Sequence, residues 1–268
     1  MKLASKTVII TGAGSGMGRE LALQCLKKGA SVLALDLHSE ALAQTKELAG
    51  ILSSAIHCYV LNVADRKAVE AFVQQAIEQH HAIDGVFNNA GIIQPFEKVE
   101  HLSYEAIERV MNVNFYGPLY LTKAVLPHLK SRPEAHIINT SSMGGFLPVP
   151  GQSIYGASKA AVKLFTEALY AELKNSNVKV TVVFPGAIAT NITQNSGIES
   201  PSSDQAAGNF KMLSAQEAAH QIIVAVEKDA YRVCVGQDAQ FLDKLVRFAP
   251  RFATNFIAKK MASLLRPD

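Results

Sequence analysis

The chain has 268 residues, 49% of them apolar and 18% charged, which is enough hydrophobic surface for a sizeable core and argues against extensive disorder. Its 26 basic and 23 acidic side chains leave a formal charge of +3, giving no whole-molecule footprint for nucleic acid. Cys25, Cys58 and Cys234 lie far apart with no C-x-x-C pair, so neither a disulfide framework nor a zinc knuckle is suggested.

The opening MKLASKTVII runs straight into a strand pattern rather than a signal-like apolar segment, and no apolar run reaches the roughly 18 residues of a membrane span. The expectation is a cytoplasmic chain. Apolar, β-branched runs then recur at 7–11, 31–35, 56–61, 83–87, 136–140, 178–184 and 232–235. Between them lie stretches of helical spacing such as 17–28, 66–79 and 155–174. Strands alternating with helices imply parallel pairing through crossovers, and continuous apolar runs such as TVIIT imply cover on both faces. The pattern predicts an α/β, doubly wound parallel sheet in a single domain spanning 1–268, without internal repeat or linker. Polar residues at 190–213 predict a substrate lid, with a plain surface loop as the alternative.

After the first strand comes TGAGSGMG, residues 11–18, followed by a helical pattern. Glycines let the backbone turn sharply, and the following helix offers free N–H groups and a positive dipole end to a pyrophosphate. Gly12, Ser15, Gly16, Met17 and Gly18 are the candidate cradle. G-x-G-x-x-G is not strictly met, because Met17 holds its last position. The second strand ends at Asp36, 18 residues beyond Gly18, where a carboxylate accepts ribose hydroxyls and repels a 2′-phosphate. With no Arg or Lys at Ser15 or Leu37, this favours NAD over NADP; the competing role for Asp36 is capping the helix near Ser39.

Tyr155 and Lys159, in YGASK, stand at i and i+4 on one helix face. A nearby cation favours a phenolate, so Tyr155 is expected to exchange a proton with an alcohol or ketone near neutral pH. Ser142, 13 residues upstream and just after HIINT, falls at the carboxyl edge of the sheet and can steady a substrate oxygen. Ser141 is its rival, and the spacing favours Ser142. No H-E-x-x-H or clustered ligand spacing points to a metal, and there is no G-x-S-x-G elbow.

TGAGSGMG, Asp36, the NNAG of 88–91, Asn114, Ser142, YGASK and Pro185-Gly186, in this order over about residues 5–236, resemble the motifs of the short-chain dehydrogenase/reductase family. The resemblance implies a Rossmann-type sheet of about seven parallel strands, ordered 3-2-1-4-5-6-7, and a catalytic group of Asn114, Ser142, Tyr155 and Lys159. It implies that Asn89, Ala90 and Gly91 border the adenosine ribose and that Asn62 and Val63 border the adenine, although Asp is commoner than Asn at the first of those. Asn114 would hold, through its backbone, a water linked to Lys159; a helix-kinking polar residue is the alternative. Pro185, Gly186, Ile188 and Thr190 would fix the nicotinamide carboxamide. A homodimer or homotetramer, built on helices around 103–130 and 153–174, is also implied.

Loops on the substrate side are largely apolar: Ile92, Ile93, Pro95 and Phe96, then Met143, Phe146, Leu147 and Pro148, then Ala187. They predict a small, neutral, hydrophobic secondary alcohol or ketone, with Gln94 and Gln152 orienting it; the alternative for each apolar residue is core or subunit interface. Residues 238–268 read as two amphipathic helices broken before Pro250. Six cations and two carboxylates in 240–268 make this end basic. Covering the pocket, packing on another subunit and peripheral contact with an anionic membrane all fit it. The leading function is an NAD-dependent alcohol dehydrogenase or ketone reductase. An NADPH-dependent ketoreductase of carrier-bound acyl chains and a non-catalytic NAD-binding scaffold are the alternatives.

Overall fold

In the first strands both faces are apolar, and each face meets a different layer of helices. Val8, Ile10, Val32 and Ala34 point to one core and Ile9, Leu33 and Leu35 to the other, all fully buried. The computed structural model describes residues 1–198 and 212–261. Within it, β1 (Thr7–Thr11), β2 (Ser31–Asp36), β3 (Ile56–Val60), β4 (Gly85–Asn88), β5 (Ala135–Thr140), β6 (Val178–Pro185) and β9 (Arg232–Val235) form one parallel sheet. Its order, β3-β2-β1-β4-β5-β6-β9, is the Rossmann-like arrangement the motifs imply, with β9 as the seventh strand. Two-residue strands β7 (Ile188–Ala189) and β8 (Leu213–Ser214) pair with each other outside that sheet. They are too short to leave a period in the sequence.

Helices α1 (Gly16–Lys27) and α2 (Ser39–Leu48) cover one face, joined by α8 (Ala215–Glu227); Leu21, Cys25, Leu42, Ile222 and Ile223 complete that core. The other face takes α3 (Arg66–His80), α5 (Gly117–Ser131) and α6 (Ser153–Leu173), through residues such as Val69, Leu121, Val125 and Leu173. The strand order reverses between β1 and β4. There the loops after both strands part and leave the crevice in which such sheets bind ligands. A short α4 (Tyr104–Met111) runs into α5 through a π-helical turn at Asn112–Tyr116.

The C-terminal part forms α9 (Gln237–Phe248) and α10 (Pro250–Met261), broken at Ala249 just before Pro250 as the sequence suggests. Their inner residues Leu242, Ala253 and Ile257 make a third, smaller core with Leu147. Residues 199–211 of the expected lid and 262–268 of the expected tail lie outside the described residues. Among the described residues no helix is long and apolar enough to cross a membrane.

Candidate active site

The glycines of the first loop are required by contact. Gly12 and Gly16 adopt φ of +68° and +51°, a left-handed backbone that suits glycine. At Gly18 a Cβ would run into the carbonyl oxygen of Gly12 and the side-chain amide of Asn89. Removing that carbon lets α1 start directly against the loop after β4. Thr11 Oγ1 fixes the same loop, accepting the N–H groups of Asn89 and Ala90, each at 2.9 Å. Asn89 Nδ2 donates to Thr11 O, while its buried Oδ1 has no partner among the described residues.

A cleft of about 650 Å³ runs from Asp36 and His38 past Asn62 and Val63 to Ala90 and Gly91, over the glycine cradle. It is lined by Gly12, Ser15, Gly16, Met17, Gly18, Asn89 and Thr190 of the residues the sequence points to. A dinucleotide fits this donor set: N–H groups at the start of α1 for phosphate, and the orphaned Asn89 Oδ1 for a hydroxyl. Asp36 accepts Gly14 N–H at 2.9 Å through Oδ2 and His38 N–H at 3.1 Å through Oδ1. His38 is the N-cap residue of α2, and its own side chain makes no capping bond, so Asp36 ties the helix entry to the first loop. Asn62 closes its own turn by accepting Ala64 N–H, and Val63 packs against Gly117.

Several residues at the cleft carry no signal in the sequence. A short α7 (Ile192–Asn195) lies beside the cradle, with Asn195 Nδ2 donating to Ser15 Oγ at 2.8 Å. Ser196 Oγ accepts Ile93 N–H, and Arg109 donates to the Ser196 carbonyl. Arg19 and Arg109 also line a hollow with Ser15, Leu37 and His38. The Asp36 end of the cleft therefore has cations nearby that inspection of Ser15 and Leu37 alone could not reveal. Arg19 is held there by Gly14 O, Thr45 and Gln44. The segment after β6 is fixed by Asp238, whose Oδ2 accepts Ala187 N–H at 2.7 Å, and by Gly186 N–H on Val235 O. Ile188 lies in β7, after Pro185 at the end of β6.

Beyond β5 the two serines separate. Ser141 Oγ donates to Lys159 O and is buried, whereas Ser142 Oγ caps the turn Met143–Gly145 by accepting Gly144 N–H, with the Tyr155 ring on the same side of Gly144. Lys159 is buried, with Nζ donating to Thr140 O at 3.0 Å and lying 6.0 Å from the centre of the Tyr155 ring. A Cβ on Gly91 would come within 3.0 Å of that Nζ, so this glycine joins the ammonium to the cleft. Burial lowers the Lys159 pKa to about 8. The expected acidification of Tyr155 is not what the protein's own groups produce. Burial pushes the phenol up, the Ser142 hydroxyl opposes this, and desolvation of a phenolate wins.

Asn114 sits in the π-helical turn with its side chain fully committed. Oδ1 accepts Ile92 N–H, and Nδ2 donates to Ile92 O and to Ser158 Oγ. It thus ties the β4 loop to α6. Gln94 requires a correction. Gln94 is wholly buried, with Oε1 accepting the N–H groups of Ile154 and Tyr155 and Nε2 donating to Gly151 O, so it caps α6 and is not free for a substrate. Gln152 Nε2 donates to Gln94 O, while its buried Oε1 has no partner among the described residues. Leu147 is core, and Phe146 lies against Phe184 with the Arg232 guanidinium near both rings, while Met143 is partly buried against the same third core. Among the described residues no cluster of three His, Cys, Asp or Glu could hold a metal.

The glycine cradle at the switch point, with a serine, tyrosine and lysine at the carboxyl edge, defines a Rossmann-like dinucleotide-binding class. A family model described as short chain dehydrogenase matches residues 6–200, and the chain belongs to the short-chain dehydrogenase/reductase family of oxidoreductases. It is 39% identical over 249 residues, 90% of each chain, to the "Putative oxidoreductase SadH" of Mycobacterium tuberculosis. A short chain dehydrogenase from Burkholderia cenocepacia, solved in complex with NADP, is 27% identical with a TM-score of 0.77 over 100% of both chains. The 3-ketoacyl-(acyl-carrier-protein) reductase of Brucella melitensis, complexed with NADH, is 26% identical with a TM-score of 0.76, over 88% of this chain and 99% of that one.

Proposed function

We propose that the protein is an NAD-dependent oxidoreductase interconverting a neutral, hydrophobic secondary alcohol and its ketone. The observation that carries this reading is the grouping of Ser142 and Tyr155, both within van der Waals reach of Gly144, with a buried Lys159 whose Nζ lies 6.0 Å from the phenol ring beside the dinucleotide cleft. When bound, the nicotinamide accepts or supplies the hydride. Ser142 Oγ holds the substrate oxygen and Tyr155 Oη moves its proton. In ketone reduction the phenol donates; in alcohol oxidation it receives. Burial raises the phenol pKa, which favours the neutral form that donates in the reductive direction. Lys159 supplies positive charge to that edge, and Gln94 and Asn114 position α6 beneath both side chains.

Asp36 supports NAD, since a 2′-phosphate would bring like charges together. An NADPH-dependent reduction of carrier-bound acyl chains is the second reading, favoured by Arg19 and Arg109 near the same end of the cleft. Equilibrium titration with NAD and with NADP separates the two. Exposed Tyr116, in the turn before α5, and exposed Leu164 and Tyr170 on α6 support self-association through those helices. Tyr155→Phe tests the chemistry itself: turnover should fall by about 10² to 10⁴ with dinucleotide affinity kept, and near-normal turnover would refute the assignment.

A further inference from the structure

The inner faces of α9 and α10 rest on the segment that follows Ser142. Leu242, Ala253 and Ile257 bury Leu147, with Met143 and Phe146 packed alongside. Two polar links hold α9 there: Asp238 accepts Ala187 N–H, and Asp243 Oδ1 meets Arg232 Nη2 at 2.5 Å. The helix pair is therefore attached to both the candidate substrate side and the segment after β6.

That outer face is apolar and cationic together. Phe241, Phe248 and Phe252 are 60%, 87% and 61% exposed. The spacing of Phe241, Lys244 and Phe248 places them on one face of α9. Arg247, Arg251 and Lys259 are exposed on the same two helices. The two carboxylates of these helices, Asp238 and Asp243, are both committed, Asp243 also to Arg247 at 3.2 Å. A second copy docking face to face would set these cations against each other. Phenylalanines interleaved with cations, without a free carboxylate, suit the boundary between acyl chains and anionic headgroups.

We propose that the outer face of α9 and α10 is a docking surface for an anionic lipid bilayer, which sets the substrate side of the protein at the membrane. The consequence that a lipophilic substrate enters from the lipid rests on the oxidoreductase reading; the docking itself does not.

The test is co-sedimentation of the full chain with phosphatidylcholine vesicles, with and without phosphatidylglycerol, at low and high salt. Binding to the anionic vesicles alone, weakened by salt, is expected. Lys244→Glu/Arg251→Glu and Phe248→Ser/Phe252→Ser should each lower the partition coefficient on the order of tenfold or more. Circular dichroism and dinucleotide-dependent melting, unchanged in both variants, show that the fold persists. Absence of binding to anionic vesicles overturns the proposal, as does equal binding by the variants. Self-association abolished by the phenylalanine substitutions, without lipid binding, overturns it in favour of a second copy. Failed vesicle binding with Tyr155-dependent turnover intact sinks the docking alone; the converse sinks only the reaction.

Discussion

Gln94 Oε1 accepts the backbone N–H of Tyr155 at 3.0 Å and that of Ile154 at 2.7 Å, so a buried amide from the β4 loop caps the helix that carries the phenol. Helix starts leave N–H groups without intrahelical partners, and α6 has no side-chain cap of its own. Gln94→Ala strands two of them away from water. Stability should fall by about 1 to 3 kcal/mol in urea unfolding, and turnover should fall while NAD affinity holds. Unaltered turnover would remove Gln94 from the positioning of Tyr155.

The sheet is legible in the sequence because its strands are buried on both faces, and burial writes itself as uninterrupted runs such as Val8 to Ile10 and Val32 to Leu35. The glycine loop and YGASK are legible for a related reason: each concentrates its spacing within a few residues. Gln94 misleads because its partners lie some 60 positions away; an isolated glutamine in an apolar loop gives no local sign that a helix start will consume it. Asp238 and Arg109 escape notice for the same cause. Tyr155 shows a further limit. Spacing reveals that Lys159 is one turn away but not how much water both groups lose, and it is that loss which sets the direction of the phenol's shift.

Lys159 gives a pH signature. Its folded pKa, about 8, lies below the value near 10.4 of an exposed lysine, so between these limits the unfolded chain binds more protons than the folded one. Stability contributed by this group therefore rises with pH from about 8 to about 10, and the full cost of the buried ammonium is present below 8. Lys159→Met should remove that rise and be relatively more stable at pH 7 than at pH 10. Unfolding free energies of both proteins across this range provide the check; parallel curves would mean the ammonium is not destabilised by burial.

Gly18 is a test of the cradle. An added Cβ meets backbone, the Gly12 carbonyl, which cannot swing aside as a side chain would. Gly18→Ala should cost about 1 to 3 kcal/mol of stability through overpacking and abolish measurable dinucleotide binding. Gly50 is the control, since a Cβ there would meet nothing within 4 Å although its φ is +55°. Gly50→Ala should cost stability through backbone strain alone and leave nucleotide affinity intact. Similar affinity loss in both would deny the first loop its special role.

Asp36 decides between the dinucleotides. Its oxygens already accept Gly14 and His38 N–H groups, which hold the carboxylate at the cleft, and a carboxylate has lone pairs to spare for ribose hydroxyls. Losing a hydrogen bond to a charged group is worth about 1.5 to 3 kcal/mol, so Asp36→Asn should weaken NAD binding about 10- to 100-fold. NADP binding should improve in the same variant, because the repulsion of a 2′-phosphate goes with the charge while Arg19 and Arg109 stay in place. Titration of both dinucleotides against both proteins reads the two effects separately. If the substitution left the NAD-to-NADP affinity ratio unchanged, selection would have to reside in the arginines, and the carboxylate would serve only to hold the first loop.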